Sequence, residues 1–535
     1  MGIELLDCTL RDGAYIVDGK FGSSAIKGII RKLQDANVDI IECGWLKNDA
    51  HRHGTTYYHI PEDVKEYINE KKSHTSYVAM IDWDRYNLDY LPECDGESLD
   101  AIRVVFPYGK AKEGIEVGNK IGEKGYRVFF QAANTLAYND EELKELSELI
   151  NSTKAESLSV VDTFGAMYED DLERIVSILD KYLNKSVKLG FHSHNNQQLA
   201  FSNAQHFVKI MSDSDRDIIV DSSLSGMGRG AGNATTELVA NYLNQKYHAN
   251  YSMYHILDAI DLYMQGFEEN YKWGYSTPYF IAGMYCCHVN NIAYLQKNHR
   301  TNARDMNDII ESLSPEDRKR YDYDLLEEKY IENQDRVVSD DIEIENLRSV
   351  LKDKTVLLIA PGKSSLTEMY KIRDYIEEKN PVIIQVNAIN PEYDADYLFL
   401  ISDGRYDYAK NAYPKQFHSV KKILLSNIKT EGETDEIIIN FNRVIKRGWE
   451  YLDNAVINAL RLLNQLLVEN VAIAGFDEFG DHYNESYADP ALPTVNPDGD
   501  WEKLNKEVLE MFVDFKKTVG STMNIEFVTN SKFDI

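Results

Sequence analysis

The chain has 535 residues, and 88 acidic against 58 basic side chains give it a formal charge of -30. That length exceeds a single hydrophobic core and calls for at least two domains, while the negative surface repels phosphate backbones and anionic lipid and so argues against nucleic acid and membrane as partners. No run of about 18 apolar residues suggests a spanning helix, and the 5 cysteines read as reduced thiols of a cytoplasmic protein rather than as a disulfide framework.

Apolar, β-rich runs fall at Ile3–Thr9, Val38–Gly44, Ser76–Ile81, Ala101–Pro107, Tyr126–Asn134, Ser157–Gly165, Lys188–His194 and Asp217–Gly226. Amphipathic stretches lie between them: in Ser24–Asn37, Ile26, Ile29, Ile30 and Leu33 share one helical face, and in Asp140–Asn151, Leu143, Leu146, Leu149 and Ile150 do so. Several of the strands are apolar on both faces, as parallel strands covered by helices must be. Eight such units in succession predict a (β/α)8 barrel over residues 1–257; a doubly wound open sheet is the alternative. Residues 258–345 read as a helical extension and linker, with a solvated, highly charged stretch at Glu316–Asp341. A second α/β pattern, Rossmann-like, fills 346–535, with strands expected at Thr355–Ala360, Pro381–Asn387, Tyr397–Ser402, Lys422–Ser426, Ile437–Phe441 and Asn470–Gly475.

In a barrel of this kind chemistry gathers where strands end. The first strand runs into Asp7-Cys8-Thr9-Leu10-Arg11-Asp12-Gly13, the seventh into His192-Ser193-His194-Asn195, and the eighth into Gly226-Met227-Gly228-Arg229-Gly230-Ala231-Gly232-Asn233. His192 and His194 are two apart on a strand and face the same way. Two imidazoles and a carboxylate, Asp12, make a facial set suited to a divalent metal with open positions, with core or surface histidines as the plain alternative. Arg11 would stabilise a developing enolate oxygen, or pair with a carboxylate across the mouth. The Gly-rich stretch reads as a mobile lid, with a phosphate-cradling loop as the alternative. Glu42, Gln131, Asn134 and Asp162 at strand ends are candidates to orient substrate, or simple barrel-mouth hydrogen bonds; Arg103 is a substrate-carboxylate clamp or a buried ion-pair member.

These segments, in this order and together with Asp162-Thr163-Phe164-Gly165-Ala166-Met167, resemble the metallolyase barrels with an Arg-Asp signature after the first strand. That family includes 4-hydroxy-2-oxovalerate aldolases, 3-hydroxy-3-methylglutaryl-CoA lyases and the isopropylmalate and homocitrate synthases, and the resemblance is greatest to the aldolases. Ala303-Arg304-Asp305 is a weaker echo. The resemblance implies that Asp12, His192 and His194 bind Mn2+ or Mg2+. Asn233 matches a residue that joins the metal in some members only, and Arg11 would hold the enolate of pyruvate or a similar 2-oxo acid. It implies a small-molecule 2-oxo acid and an aldehyde as partners; self-association is left open. The chain departs from the aldolases at Gly13-Ala14-Tyr15, where they carry a catalytic histidine in place of Tyr15. Tyr15 could serve as base only with a depressed pKa, or else as a hydrogen-bond donor or an aromatic wall. An acyl-CoA/2-oxo acid condensation on the same metal, or a barrel kept as a scaffold, are the alternative functions.

In the second domain, Gly362, Lys363 and Ser364 open a helix directly after a strand, a place that suits an anion. They lack both the Walker and the dinucleotide spacing, and an ordinary strand-to-helix turn is the alternative.

Overall fold

The computed structural model describes residues 2–298, 301–334, 338–430, 432, 435–446, 448–449, 454–480, 486–492 and 501–534. It divides into two compact units, Met1–Val289 with Arg318–Arg320, and Asn290–Asp317 with Tyr321–Ile535.

The first unit is a (β/α)8 barrel. Its strands are β1 (Ile3–Asp7), β2 (Ile40–Leu46), β4 (Ser76–Asp82), β5 (Ala101–Phe106), β6 (Arg127–Ala132), β7 (Ser157–Asp162), β8 (Lys188–Ser193) and β9 (Ile218–Ser222). They pair in parallel in the order β1-β9-β8-β7-β6-β5-β4-β2, and β1 closes the ring on β2 through Leu6 opposite Ile40. A two-residue strand, β3 (Tyr57–Tyr58), extends β2 at its mouth end. Helices clothe the outside with the faces the periodicity predicts: Ser23–Asp35 buries Ile26, Ile29, Ile30 and Leu33, and Asp140–Asn151 buries Leu143, Leu146 and Ile150 with Leu149 half-buried.

The interior is filled in two levels. Leu6, Ile40, Val78, Ala101, Phe129 and Ile219 form an apolar plug. Because side chains two apart on a strand share a face, Glu42, Arg103, Gln131 and Asp221 project into the same interior one step nearer the carboxyl ends, and all four are buried. The barrel thus carries a charged layer between its apolar plug and its mouth. β2 helps to shape that layer. Its register against β4 slips between Glu42 and Trp45, and Gly44 there has φ +149° with the Thr56 carbonyl where a Cβ would stand. Bulges of this sort re-aim side chains beside functional sites.

The second unit holds a seven-stranded, all-parallel sheet: β10 (Thr355–Ile359), β11 (Val382–Val386), β12 (Tyr397–Leu400), β13 (Lys421–Leu425), β14 (Glu436–Ile439), β15 (Asn470–Ala474) and β16 (Asn524–Phe527), in the order β14-β13-β12-β11-β10-β15-β16. Val356 and Leu358 of β10 pack on one face with the helices Asp341–Leu351, Ala455–Gln465 and Trp501–Val519, whereas Leu357 and Ile359 pack on the other with Ile372. The unit is therefore α/β with helices on both faces of the sheet. β16 was not expected from the sequence.

The stretch 258–345 is helical but divided between the units: Thr277–Met284 lies in the first, Ala303–Ser312 and Tyr323–Gln334 in the second. The charged run at 316–341 falls largely in helices; its residues 335–337 lie outside the described ones. Arg304 pairs with Asp407 at 3.2 Å within the second unit. No helix among the described residues is long and apolar enough to cross a membrane, and the cysteines are free.

Candidate metal centre and the barrel mouth

Past β1 the chain turns through a single helical turn, Thr9–Asp12, closed by Gly13. The turn is pinned from below: Asp7 accepts the Thr9 N–H at 3.0 Å and the Thr236 hydroxyl at 2.7 Å. It returns Asp12 to the barrel interior, where Asp12 is 1% exposed. Gly228 makes room from the other side, because a Cβ there would overlap both the Asp12 carboxylate and the Asn233 amide.

His192 stands on β8 and His194 just beyond it, their ring centroids 5.0 Å apart. Each ring is anchored through Nδ1. His192 donates to the Asp221 carboxylate at 3.0 Å, and His194 to the Asp162 backbone carbonyl at 3.0 Å. With both Nδ1 atoms carrying the proton, both Nε2 atoms keep a lone pair for a ligand. One ligand atom from each of Asp12, His192 and His194 lies within 4.8 Å of the others.

The protonation states agree with this arrangement. Burial opposes charge on Asp12, but Arg11, His194 and His192 more than offset it and hold the carboxyl well below its usual range. Burial depresses His192 against the pull of Asp221, which leaves the imidazole neutral. Asn233 Nδ2 donates to Asp12 at 2.8 Å, and its buried Oδ1 has no hydrogen-bond partner. Among Arg11, Arg103, Asp12, Glu42 and Asp221, three carboxylates face two guanidinium groups. The buried layer is one positive charge short, and buried carboxylate oxygens, Glu42 Oε1 and Asp221 Oδ1, are without partners. A divalent cation fits this donor set and its charge deficit.

Arg11 is held by Asp12 at 2.5 Å and by Glu42, through Nε, at 2.8 Å. Arg103 lies one layer deeper. It bonds Glu42 at 2.7 Å and Gln131 at 2.8 Å, and also pairs with Asp221, the carboxylate that holds His192. Of the two readings of Arg103, Glu42 and Gln131, these contacts match the buried ion pair and the barrel-mouth hydrogen bonds. All are buried and bonded to one another, and through Glu42 and Asp221 they position Arg11 and His192, while Glu42 Oε1, Arg103 Nε and Gln131 Nε2 keep no hydrogen-bond partner. Asp162 also turns inward on its own loop, accepting the N–H groups of Ala166 at 2.9 Å and Met167 at 3.2 Å, while burial raises its pKa to about 6. Asn134 adopts the left-handed conformation at φ 56° and donates its backbone N–H to Thr163.

Tyr15 sits at the mouth, 45% exposed, with its ring edge-on to Trp45 and the Arg229 guanidinium 4.9 Å from its centroid. Crowding by protein atoms pushes the phenol up to about 12 despite Arg229 and Arg11. Its surroundings thus do not depress the Tyr15 pKa, and the hydrogen-bond-donor and aromatic-wall readings fit its place at the mouth. Arg229 in turn donates to His288 Nε2 at 3.1 Å, and burial, reinforced by Arg229, drives His288 down to about 3.

Sequence reasoning missed Asp221. Its signal was present, as a single acid within the apolar strand Ile218–Ser222 at the position where an inward side chain falls. Asp221→Asn is expected to lower the affinity for Mn2+ by about 10- to 100-fold, as loss of such a supporting carboxylate does elsewhere; titration of the variant and parent by calorimetry measures it.

Residues 108–262 match the HMGL-like family profile, and the first unit carries an HMGL-like domain. The chain is similar to the 4-hydroxy-2-oxovalerate aldolase of Geobacillus genomosp. 3, 26% identical over 269 residues that cover 48% of this chain and 76% of that protein. The enzyme of the same name from Thermomicrobium roseum is 27% identical over 248 residues, 45% of this chain and 67% of that one. Among solved structures, the HMG-CoA lyase from Brucella melitensis aligns with a TM-score of 0.39 and 16% identity, covering 50% of this chain and 99% of that chain. The barrel is of the lyase and aldolase class.

Proposed function

We propose that the first unit is a divalent-metal-dependent aldolase or lyase that makes or breaks a carbon–carbon bond next to a 2-oxo acid of the pyruvate type. The observation that carries this reading is the convergence of the Asp12 carboxylate and the two free Nε2 atoms of His192 and His194 beside a buried arginine. The names of the relatives supply the substrate class. Mn2+ or Mg2+ bound there would supply Lewis-acid polarisation of the oxo-acid carbonyl. Arg11, fixed by Glu42, places a permanent cation where the enolate oxygen develops. Tyr15 would hydrogen-bond the oxygen of the acceptor aldehyde, passing its proton to that oxygen in condensation and taking it back in cleavage. Glu42, Arg103 and Asp221 keep Arg11 and His192 in place. The polypeptide works in the cytoplasm on small molecules.

Proton exchange tests this reading. In D2O with Mn2+ or Mg2+, the protein should wash out the methyl protons of pyruvate, followed by NMR, and chelation should stop it. Arg11→Lys keeps the charge but loses the planar fork, and should slow exchange by about 10²- to 10³-fold while retaining the metal. The absence of exchange with pyruvate and longer 2-oxo acids would remove the enolate chemistry, and release of free thiol from an acyl-CoA would point to condensation instead.

A further inference from the structure

The second unit contains a cavity that the barrel chemistry does not use. Its sheet starts at β10, grows outward through β11 to β14, and then returns to place β15 and β16 on the other side of β10. In open parallel sheets, ligands bind outside the carboxyl ends of the strands at such a reversal. A cavity of about 270 Å3 lies at the ends of β10 and β11, walled by Ala360, Leu366, Ile389, Asn390, Tyr413 and Leu492. The segment 486–492 joins it: Ala488 N–H donates to the Pro361 carbonyl at 2.8 Å. The wall is mainly apolar. Of its polar groups, Asn390, Glu392 and Asp489, Asn390 is bonded to the Glu392 N–H at 3.1 Å and to Ser365 at 3.3 Å, Glu392 pairs with Arg373 at 3.2 Å through one oxygen, and Asp489 is fixed by the hydroxyls of Tyr408 at 2.7 Å and Tyr413 at 2.9 Å.

The turn beside this cavity is where the sequence suggests an anion, and the structure shows why a phosphate does not fit. Asp477, just past β15, accepts the Ser364 N–H at 2.7 Å and also the Ser364 hydroxyl. The Gly362 N–H is spent on the Gly475 carbonyl at 2.9 Å, a Cβ on Gly362 would overlap Asp477, and Lys363 points its exposed side chain to solvent. The protein's own carboxylate takes the anion's place, and a phosphate brought there would meet it as a like charge.

We propose that this cavity binds a nucleoside: a flat apolar heterocycle held between the Ile389 and Leu366 walls, with hydroxyl and amino donors met by the carboxylates of Glu392 and Asp489, and with no phosphate on the Gly362–Ser364 turn. The site uses none of the residues of the metal centre.

Calorimetry on the full chain with adenosine, guanosine, cytidine and uridine, and with their 5′-diphosphates, tests it. At least one nucleoside should bind, and its diphosphate should bind at least about tenfold more weakly, a difference of about 1.4 kcal/mol. Ile389→Trp, which fills the cavity, should abolish binding, and so should Leu366→Trp, placed at a more exposed wall where folding is not at stake. Asp477→Asn should close most of the gap between nucleoside and diphosphate. Failure of every nucleoside to bind at millimolar concentration, or a diphosphate that binds more tightly than its nucleoside to the parent protein, overturns the proposal.

Discussion

Replacing His192 by alanine is expected to weaken Mn2+ binding by at least about 100-fold, more than the loss of a supporting carboxylate costs. His192 is held in register by the Nδ1 bond to Asp221 and presents Nε2 toward Asp12 and His194. Alanine removes the donor and leaves Asp221, with Arg103 as its remaining partner, beside an empty space. Calorimetric titration measures the change. The pH dependence carries a sign as well. Metal must displace protons from its ligands, and burial depresses the His192 pKa. In the parent protein, proton competition at this ligand should therefore begin below the ordinary imidazole range, and the affinity should fall only as the pH drops further. An affinity unchanged in His192→Ala would place the cation elsewhere.

Arg103→Met is the second large effect, and it concerns stability. The guanidinium is 1% exposed and answers two buried carboxylates, Glu42 and Asp221. Methionine fills much of the same volume but leaves both without that cation. Removing one partner of a buried pair costs about 3–5 kcal/mol, and the barrel's denaturation midpoint should fall accordingly. The loss should also free Asp221 and Glu42 to shift, so residual folded protein should show slower proton exchange with pyruvate. A cost below about 1 kcal/mol would mean that the charged layer is solvated rather than closed.

The barrel was legible because its strands are buried on both faces and separated by clear amphipathic helices; β5, β6 and β7 lie inside the runs expected for them. β2 runs later than expected, to Leu46, because its bulge and the added β3 prolong pairing past Gly44. β16 escaped because it is a four-residue edge strand whose side chains are exposed or half-buried, so no continuous apolar run marks it. The site was legible where motif and geometry coincide, at Asp12, His192 and His194. It was not legible where a role depends on a partner distant in the chain. Arg103 is a supporting residue only because Asp221, 118 positions away, meets it. Ser364 ceases to be an anion donor only because Asp477, 113 positions away, already fills that place. The pKa of Tyr15 was not legible for a related reason: the surroundings that raise it come from the folded mouth, not from its neighbours in the chain.

The most direct measurement is diffraction at the manganese edge from crystals grown with Mn2+. The account predicts an anomalous peak within bonding distance, about 2.0–2.3 Å, of Asp12 and of the Nε2 atoms of both histidines. A map with no peak there, or rings that have turned to offer Nδ1, would contradict it.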